Sequence, residues 1–178
     1  MNAVTFLVDF VFDLFLMVVI LRVWMQAVRA DFYNPLSQFV VKVSNPLVLP
    51  LRSVLPTLGR WDLAAVVLAL LVAVAKIYLV QILINAPLPM VVTALINSLF
   101  LVVFQFLSIL FWVTLIRALM SWFSQGYHPM TAMLAQLTEP FLAPIRRIIP
   151  PIGGLDLSVL VLIVGIQFVR ILLGNMLI

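Results

Sequence analysis

The sequence predicts an all-α polytopic membrane protein of four transmembrane helices in two parallel repeats, each repeat with short amphipathic interfacial helices. Three observations lead there. The chain is 66% hydrophobic and 9% charged, against roughly 25% charged residues in ordinary soluble domains. It contains four long apolar runs, about Val4–Val28, Leu63–Ile84, Val91–Met120 and Leu155–Leu177, and about 20 such residues cross a bilayer. A proline-arginine motif occurs twice, 94 residues apart: Pro46, Pro50, Arg52, Pro56, Gly59, Asp62, and then Pro140, Pro144, Arg146, Pro150, Gly153, Asp156. Each copy leads directly into an apolar run, so the chain divides into a first repeat at 1–90 and a second at 91–178.

The first run has no Lys or Arg before residue 22 and carries Asp9 and Asp13. That pattern does not fit a cleaved signal peptide, and the first helix is expected to remain in the mature protein. The third run is too long for a single upright crossing and is expected to tilt or to begin outside the hydrocarbon. With zero cysteines there are no disulfides and no thiolate metal ligands.

The two long connections are amphipathic. In the first, Leu36, Phe39, Val40 and Val43 recur at helical spacing, and Met130, Met133, Leu134 and Leu137 repeat the pattern in the second. Pro35 and Pro129 fit first helical positions, with Asn34 and His128 before them as caps. Because proline interrupts helix interiors, Pro46, Pro50 and Pro56 suggest two short helices per loop, lying in the interface with their arginines among phospholipid head groups. Two readings remain for these helices. They brace the bundle, which is the favoured one, or they bind anionic lipid or a partner.

Orientation follows the basic residues. Arg29, Lys42, Arg52 and Arg60 lie in one long loop, Arg146 and Arg147 in the other, and none in the short Asn85–Met90 connection. Positive loops stay cytoplasmic, so both long loops face inward, and both termini and the short connection face outward. Trp24, Tyr33, Trp61, Trp122 and Tyr127 fall at the expected inner boundary, where aromatic belts form. Two crossings per repeat make the repeats parallel.

Four charges lie within the spans: Asp9, Asp13, Lys76 and Arg170, with Lys76 and Arg170 at equivalent repeat positions. Buried charges should face the bundle and pair. Lys76 is expected to meet Asp13, Asp9 or both, alongside a small-residue stripe of Ala65, Ala69 and Ala73. Arg22 and Arg117 are candidates to pair with Asp62 and Asp156. The duplicated spacing suggests that the motif arginines Arg52 and Arg146 tie the hinge to the next helix through Asp62 or Asp156, or hold a head-group phosphate. Asn97, Gln105, Ser108 and Trp112 suggest a polar stripe on the third span. Such charges are a default hint of an ion path. Four helices leave little room for a gated pathway, and none is broken by Gly or Pro at mid-membrane, so pairs that fix helix register are the favoured reading.

Catalysis finds little support, and the chain is expected not to be an enzyme. The one histidine, His128, precedes a proline at a helix start. There is no histidine cluster, phosphate loop or nucleophile elbow. No catalytic, cofactor-binding or metal-ligating residue is expected, and no cofactor. A net charge of +4 spread over two membrane-facing loops does not suggest nucleic acid. The expected partners are the bilayer, with its anionic head groups, and a membrane protein or a second copy.

The run TEPFLAPIRRIIPPIGGLDLS at Thr138–Ser158 resembles the signature of the YggT family of integral membrane proteins. NPLVLPLRSVLPTLGRWDL at Asn45–Leu63 is similar to the weaker copy in two-repeat bacterial members, and DFYNPLSQFVVKV within and beside Arg22–Lys42 is similar to the proteobacterial form. One departure is Ser158-Val159, where the family usually has Ser-Pro. The resemblance implies a small inner-membrane protein linked to osmotic or ion tolerance, to division and nucleoid organisation, or to assembly of membrane complexes. It implies no catalytic residues. The residues and the resemblance together suggest an assembly or scaffolding factor, with a subunit of an ion or osmolyte pathway as the alternative.

Overall fold

The computed structural model describes residues 2–31, 33–123, 129–149 and 156–175, with the side chains of Trp122 and Phe123 excepted. These residues form α1 (Ala3–Ala27), α2 (Pro35–Arg52), a hairpin of β1 (Thr57–Leu58) and β2 (Trp61–Asp62), α3 (Leu63–Leu83), α4 (Val91–Phe123), α5 (Pro129–Ile148) and α6 (Leu157–Asn175). Helices α1, α3, α4 and α6 are long and apolar enough to cross a membrane. The order span, interfacial helix, span therefore occurs twice. Met1–Phe106 and Leu107–Ile178 form two compact units.

In the first unit, Asn2 caps α1 by accepting a hydrogen bond from the Thr5 amide at 2.8 Å. Helix α1 buries its loop-side half, from Leu16 to Met25, and leaves Phe6, Leu7, Phe10 and Val11 exposed nearer its start. It packs against α3, whose buried stripe of Ala65, Ala69 and Ala73 lets the two backbones approach closely. Both helices end in the same way. Arg29 (φ 55°) and Asn85 (φ 51°) take left-handed conformations. The amides of Ala30 and Ala86 then reach back to the carbonyls of Met25 and Gln81, at 2.9 and 3.0 Å, which satisfies the last turn.

The expectation of two short helices per loop is corrected. Helix α2 runs unbroken through Pro46 and Pro50, and α5 through Pro140 and Pro144. In each helix the two prolines are four residues apart and exposed. The hydrogen bonds they remove therefore lie on the outer face, where the freed carbonyls are not stranded in the core.

The expected apolar stripe of α2 is also shifted. Ser37, Val40, Ser44 and Val48 are buried, whereas Phe39 is exposed. Small residues allow α2 close approach to α1 and α3, and the bulkier Phe39 and Leu47 turn outward. In α5, Met133, Leu134 and Leu137 are buried as the spacing expects, joined by Thr138 and Leu142, and Met130 is exposed.

Asn34 caps α2, its side chain accepting from the Leu36 amide at 2.9 Å. Between α2 and α3 the chain makes a two-stranded hairpin, with Thr57 opposite Asp62 and Leu58 opposite Trp61. Gly59 opens the two-residue turn at φ 60°, a conformation that suits glycine best. His128, Tyr127, Pro150, Gly153 and the Trp122 side chain lie outside the described residues. Trp24 is buried edge-on against Phe106, with ring centroids 5.2 Å apart. Tyr33 and Trp61 are exposed.

Candidate functional site

Each motif arginine meets the aspartate ten residues later, and that aspartate also caps the following span. In the first unit Asp62 precedes α3, and its Oδ1 accepts from the Ala65 amide at 3.3 Å. Its Oδ2 accepts from Arg52 Nε at 3.2 Å and from a second nitrogen of the same guanidinium. One carboxylate thus starts a transmembrane helix and fastens the end of the interfacial helix to it. Only a planar, forked cation can bring two donors to one oxygen in this way.

Arg22 of α1 completes this arrangement. Its Nε lies 3.7 Å from Asp62 Oδ2. Its Nη1 donates to Ser44 Oγ at 2.7 Å and to Asn45 Oδ1 at 2.8 Å. The Asp62 side chain is fully buried and that of Arg22 is 4% exposed, whereas Arg52 keeps 35% of its surface.

The second unit repeats the arrangement on its own residues. Arg146 Nε and Nη2 donate to Asp156 Oδ2 at 3.0 and 2.5 Å. Asp156 Oδ1 accepts from the Ser158 amide at 3.1 Å and from the Ser158 hydroxyl, at the start of α6. Arg146 Nη1 also donates to both oxygens of Glu139, at 3.0 and 3.1 Å. The hydrogen bond to Asp156 raises the affinity of Arg146 for its proton. Partial burial pushes the Asp156 carboxyl up, but bonds from Arg146 and Ser158 outweigh it and hold the group below the usual carboxylate range.

Arg117 was expected on Asp156, and the structure corrects this. Its Nη2 reaches Glu139 Oε2 at 3.3 Å, and its Nη1 donates to Thr138 Oγ1. The carboxylate of Asp156 is taken by Arg146. Ser44, Asn45, Thr138 and Glu139 were not singled out from the sequence. Their signal was present: Ser44-Asn45-Pro46 and Thr138-Glu139-Pro140 extend the motif two residues toward its start in both copies. The two brackets differ in charge. The first sets Arg22 and Arg52 against Asp62, whereas the second sets Arg117 and Arg146 against Glu139 and Asp156. Beside the first bracket, Gln26, Arg29, Ala30, Gly59 and Arg60 line a shallow pocket with two arginines at its rim.

Deeper in the first unit, Lys76 Nζ lies 2.6 Å from Asp13 Oδ1 and 3.0 Å from Asp9 Oδ1. The two aspartates share a face of α1, four residues apart. Gln105 Nε2 donates to the Asp13 carbonyl at 3.5 Å. Of the expected polar stripe on the third span, Gln105 thus turns to α1, whereas Asn97 and Trp112 are exposed; Ser98 and Thr114, outside that stripe, are buried. Among the described residues Arg170, on α6, has no hydrogen-bonding or ionic partner.

A span, an arginine-bracketed interfacial helix and a second span, used twice in one chain, define a duplicated four-span integral membrane protein. The family model described as CCB3/YggT matches residues 1–83 and again 96–177, and the chain belongs to that family. It is 51% identical over 176 residues to an uncharacterized protein of the proC 3' region of Vibrio alginolyticus, covering 98% of this chain and 95% of the relative. It is 40% identical over 185 residues to the uncharacterized protein YggT of Escherichia coli (strain K12), covering 99% and 96%. An uncharacterized protein of Haemophilus influenzae is 35% identical over 160 residues, covering 89% and 82%. No solved structure matches the chain.

Proposed function

We propose that this protein is a non-enzymatic assembly or scaffolding factor of the bacterial inner membrane, with its long loops in the cytoplasm and its termini in the periplasm. The observation that carries this reading is a contrast between locked loop ends and uncovered spans. Both interfacial helices are pinned by an arginine to the next span. Helix α6 in turn buries only Ser158, Leu162 and Ile166 among its described residues, and exposes Leu160, Val164, Phe168, Ile171 and Leu172. A rigid frame with wide apolar flanks suits lateral binding of other membrane helices, which pack by van der Waals contact within lipid.

The orientation rests on six basic residues in the long loops and none in the 85–90 connection. Single cysteines at Ser53, Ser124 and Asn85, treated with an impermeant thiol reagent on intact cells, test it. Only Asn85→Cys should react, and labelling of the other two alone would reverse the orientation.

The buried contact of Lys76 with Asp9 and Asp13, next to Gln105, favours a second reading. In that reading the protein is a subunit of an ion or osmolyte pathway that contributes to osmotic tolerance. Purification in mild detergent separates the two. A stoichiometric complex with a different membrane protein, weakened by Phe168→Ser on α6, supports the scaffold. A homomeric assembly that passes ions or small osmolytes across liposomes contradicts it.

A further inference from the structure

Two charge defects lie within the spans, and they are opposite in sign. In the first unit, Asp9 and Asp13 face the single ammonium of Lys76, a formal excess of one negative charge. The Lys76 side chain is largely covered, but those of Asp9 and Asp13 keep 40% and 36% of their surface open. In the second unit, Arg170 is half-buried and without a partner among the described residues. The other charged side chains of the spans, Arg22 and Arg117, are both engaged. A charge exposed to hydrocarbon is costly and calls for a partner.

The defects also lie at similar depth. Asp9 is six residues inside the start of α1 at Ala3, and Lys76 is seven residues before the end of α3 at Leu83. At 1.5 Å per residue the two are about 9–11 Å from those helix ends, and Arg170 stands at the repeat position equivalent to Lys76, 94 residues on. Two crossings separate α3 from α6, so Lys76 and Arg170 approach the same side of the membrane.

We propose that Arg170 of one copy of this chain docks on the half-open carboxylates of Asp9 and Asp13 in a second copy. An anionic head group that neutralises Arg170 repels Asp9 and Asp13, so it answers only one of the two defects. A second copy offers the missing cation and the missing anion at matching depth, and their formal charges cancel. The surroundings suit a dry contact. Phe6 and Phe10 stack on the exposed face of α1 with centroids 6.2 Å apart, and Phe168, Ile171 and Leu172 are exposed around Arg170. The donating and accepting patches are different surfaces, so the association is head-to-tail and builds rings or open chains. This goes beyond the scaffold reading and does not depend on it.

The chain has no cysteine of its own, which makes cross-linking a clean test. Phe6→Cys in one tagged copy and Ile171→Cys in a differently tagged copy are co-expressed and oxidised in membranes. The expected product is a disulfide-linked dimer carrying both tags. Its yield falls at least tenfold with Arg170→Leu in the Ile171→Cys copy, and persists with Arg170→Lys, which keeps the charge. Asp9→Asn with Asp13→Asn in the other copy also lowers the yield, independently of how well Arg170→Leu folds. The proposal is overturned if no mixed dimer forms, if its yield survives removal of both carboxylates or of the Arg170 charge, or if the disulfide forms only within a chain that carries both cysteines.

Discussion

Replacing Asp62 with asparagine removes a charge and little else. Asparagine keeps a carbonyl oxygen able to cap α3, so the variant isolates the ion pair from the cap. The side chain of Asp62 is fully buried, with Arg52 and the buried Arg22 directed at one of its oxygens. Breaking a buried pair from one side costs 3–5 kcal/mol. Here the lower end applies, because Arg22 keeps Ser44 and Asn45, and Arg52 is one-third open to solvent. The expected loss is about 3 kcal/mol, or about two orders of magnitude in the folding equilibrium.

The equivalent change in the second unit should be milder. Asp156 and Arg146 are 32% and 29% exposed, and an ion pair open to solvent contributes at most about 1 kcal/mol. Arg146 also retains Glu139. Asp156→Asn should therefore cost about a third of what Asp62→Asn costs. Unfolding of each variant in mixed micelles, by titration with a denaturing detergent, gives both values on one scale. Equal losses, or a larger loss from Asp156→Asn, would refute the assignment of the two brackets to buried and open environments.

Other predictions address the remaining features. Lys76→Met should lower unfolding free energy in detergent by about 2–3 kcal/mol, because two carboxylates lose their shared counter-charge; adding Asp13→Asn should recover part of it, and strict additivity would mean that the two side chains do not interact. Gly59→Ala should cost about 1 kcal/mol from the left-handed backbone alone, since no atom lies within 4 Å of the added carbon; a larger loss in the same titration would point to a clash. The Asp156 carboxyl is held below its ordinary range, so its contribution is present at neutral pH and is lost as the pH falls through and below the usual carboxylate range. The thermal midpoint of the wild type should approach that of Asp156→Asn over that interval, and a constant gap would contradict the pairing.

The spans were legible because their signal is compositional. The structure begins and ends α1 and α3 within a residue of the apolar runs, and the Asn34-Pro35 start of α2 is where cap chemistry puts it. The continuous α2 and α5 were not legible. Whether proline breaks a helix depends on which face it occupies, and the sequence does not show that Pro46 and Pro50 share the exposed one. The Arg52–Asp62 and Arg146–Asp156 contacts were suggested by duplicated spacing, with head-group phosphate as the other option. Ser44, Asn45, Thr138 and Glu139 were missed because short polar residues in an amphipathic stretch look like a solvated face. Their role emerges only once Arg22 and Arg117 are seen to reach them across neighbouring helices. Stripe assignments failed where bulk mattered: Phe39 fits the period of a buried face, but α2 packs through Ser37 and Ser44 instead.

The central claim is that each motif arginine and its aspartate pin the interfacial helix to the span that follows. Backbone amide exchange over residues 44–52 in membranes measures this most directly, in Arg52→Met, Asp62→Asn and the double variant. Protection there reports the free energy of local opening. The account predicts that either single change speeds exchange by about tenfold or more, equivalent to about 1.4 kcal/mol, and that the double change adds little because both remove the same interaction. Exchange that is unaltered in the single variants, or that rises by the product of the two effects in the double, would contradict it.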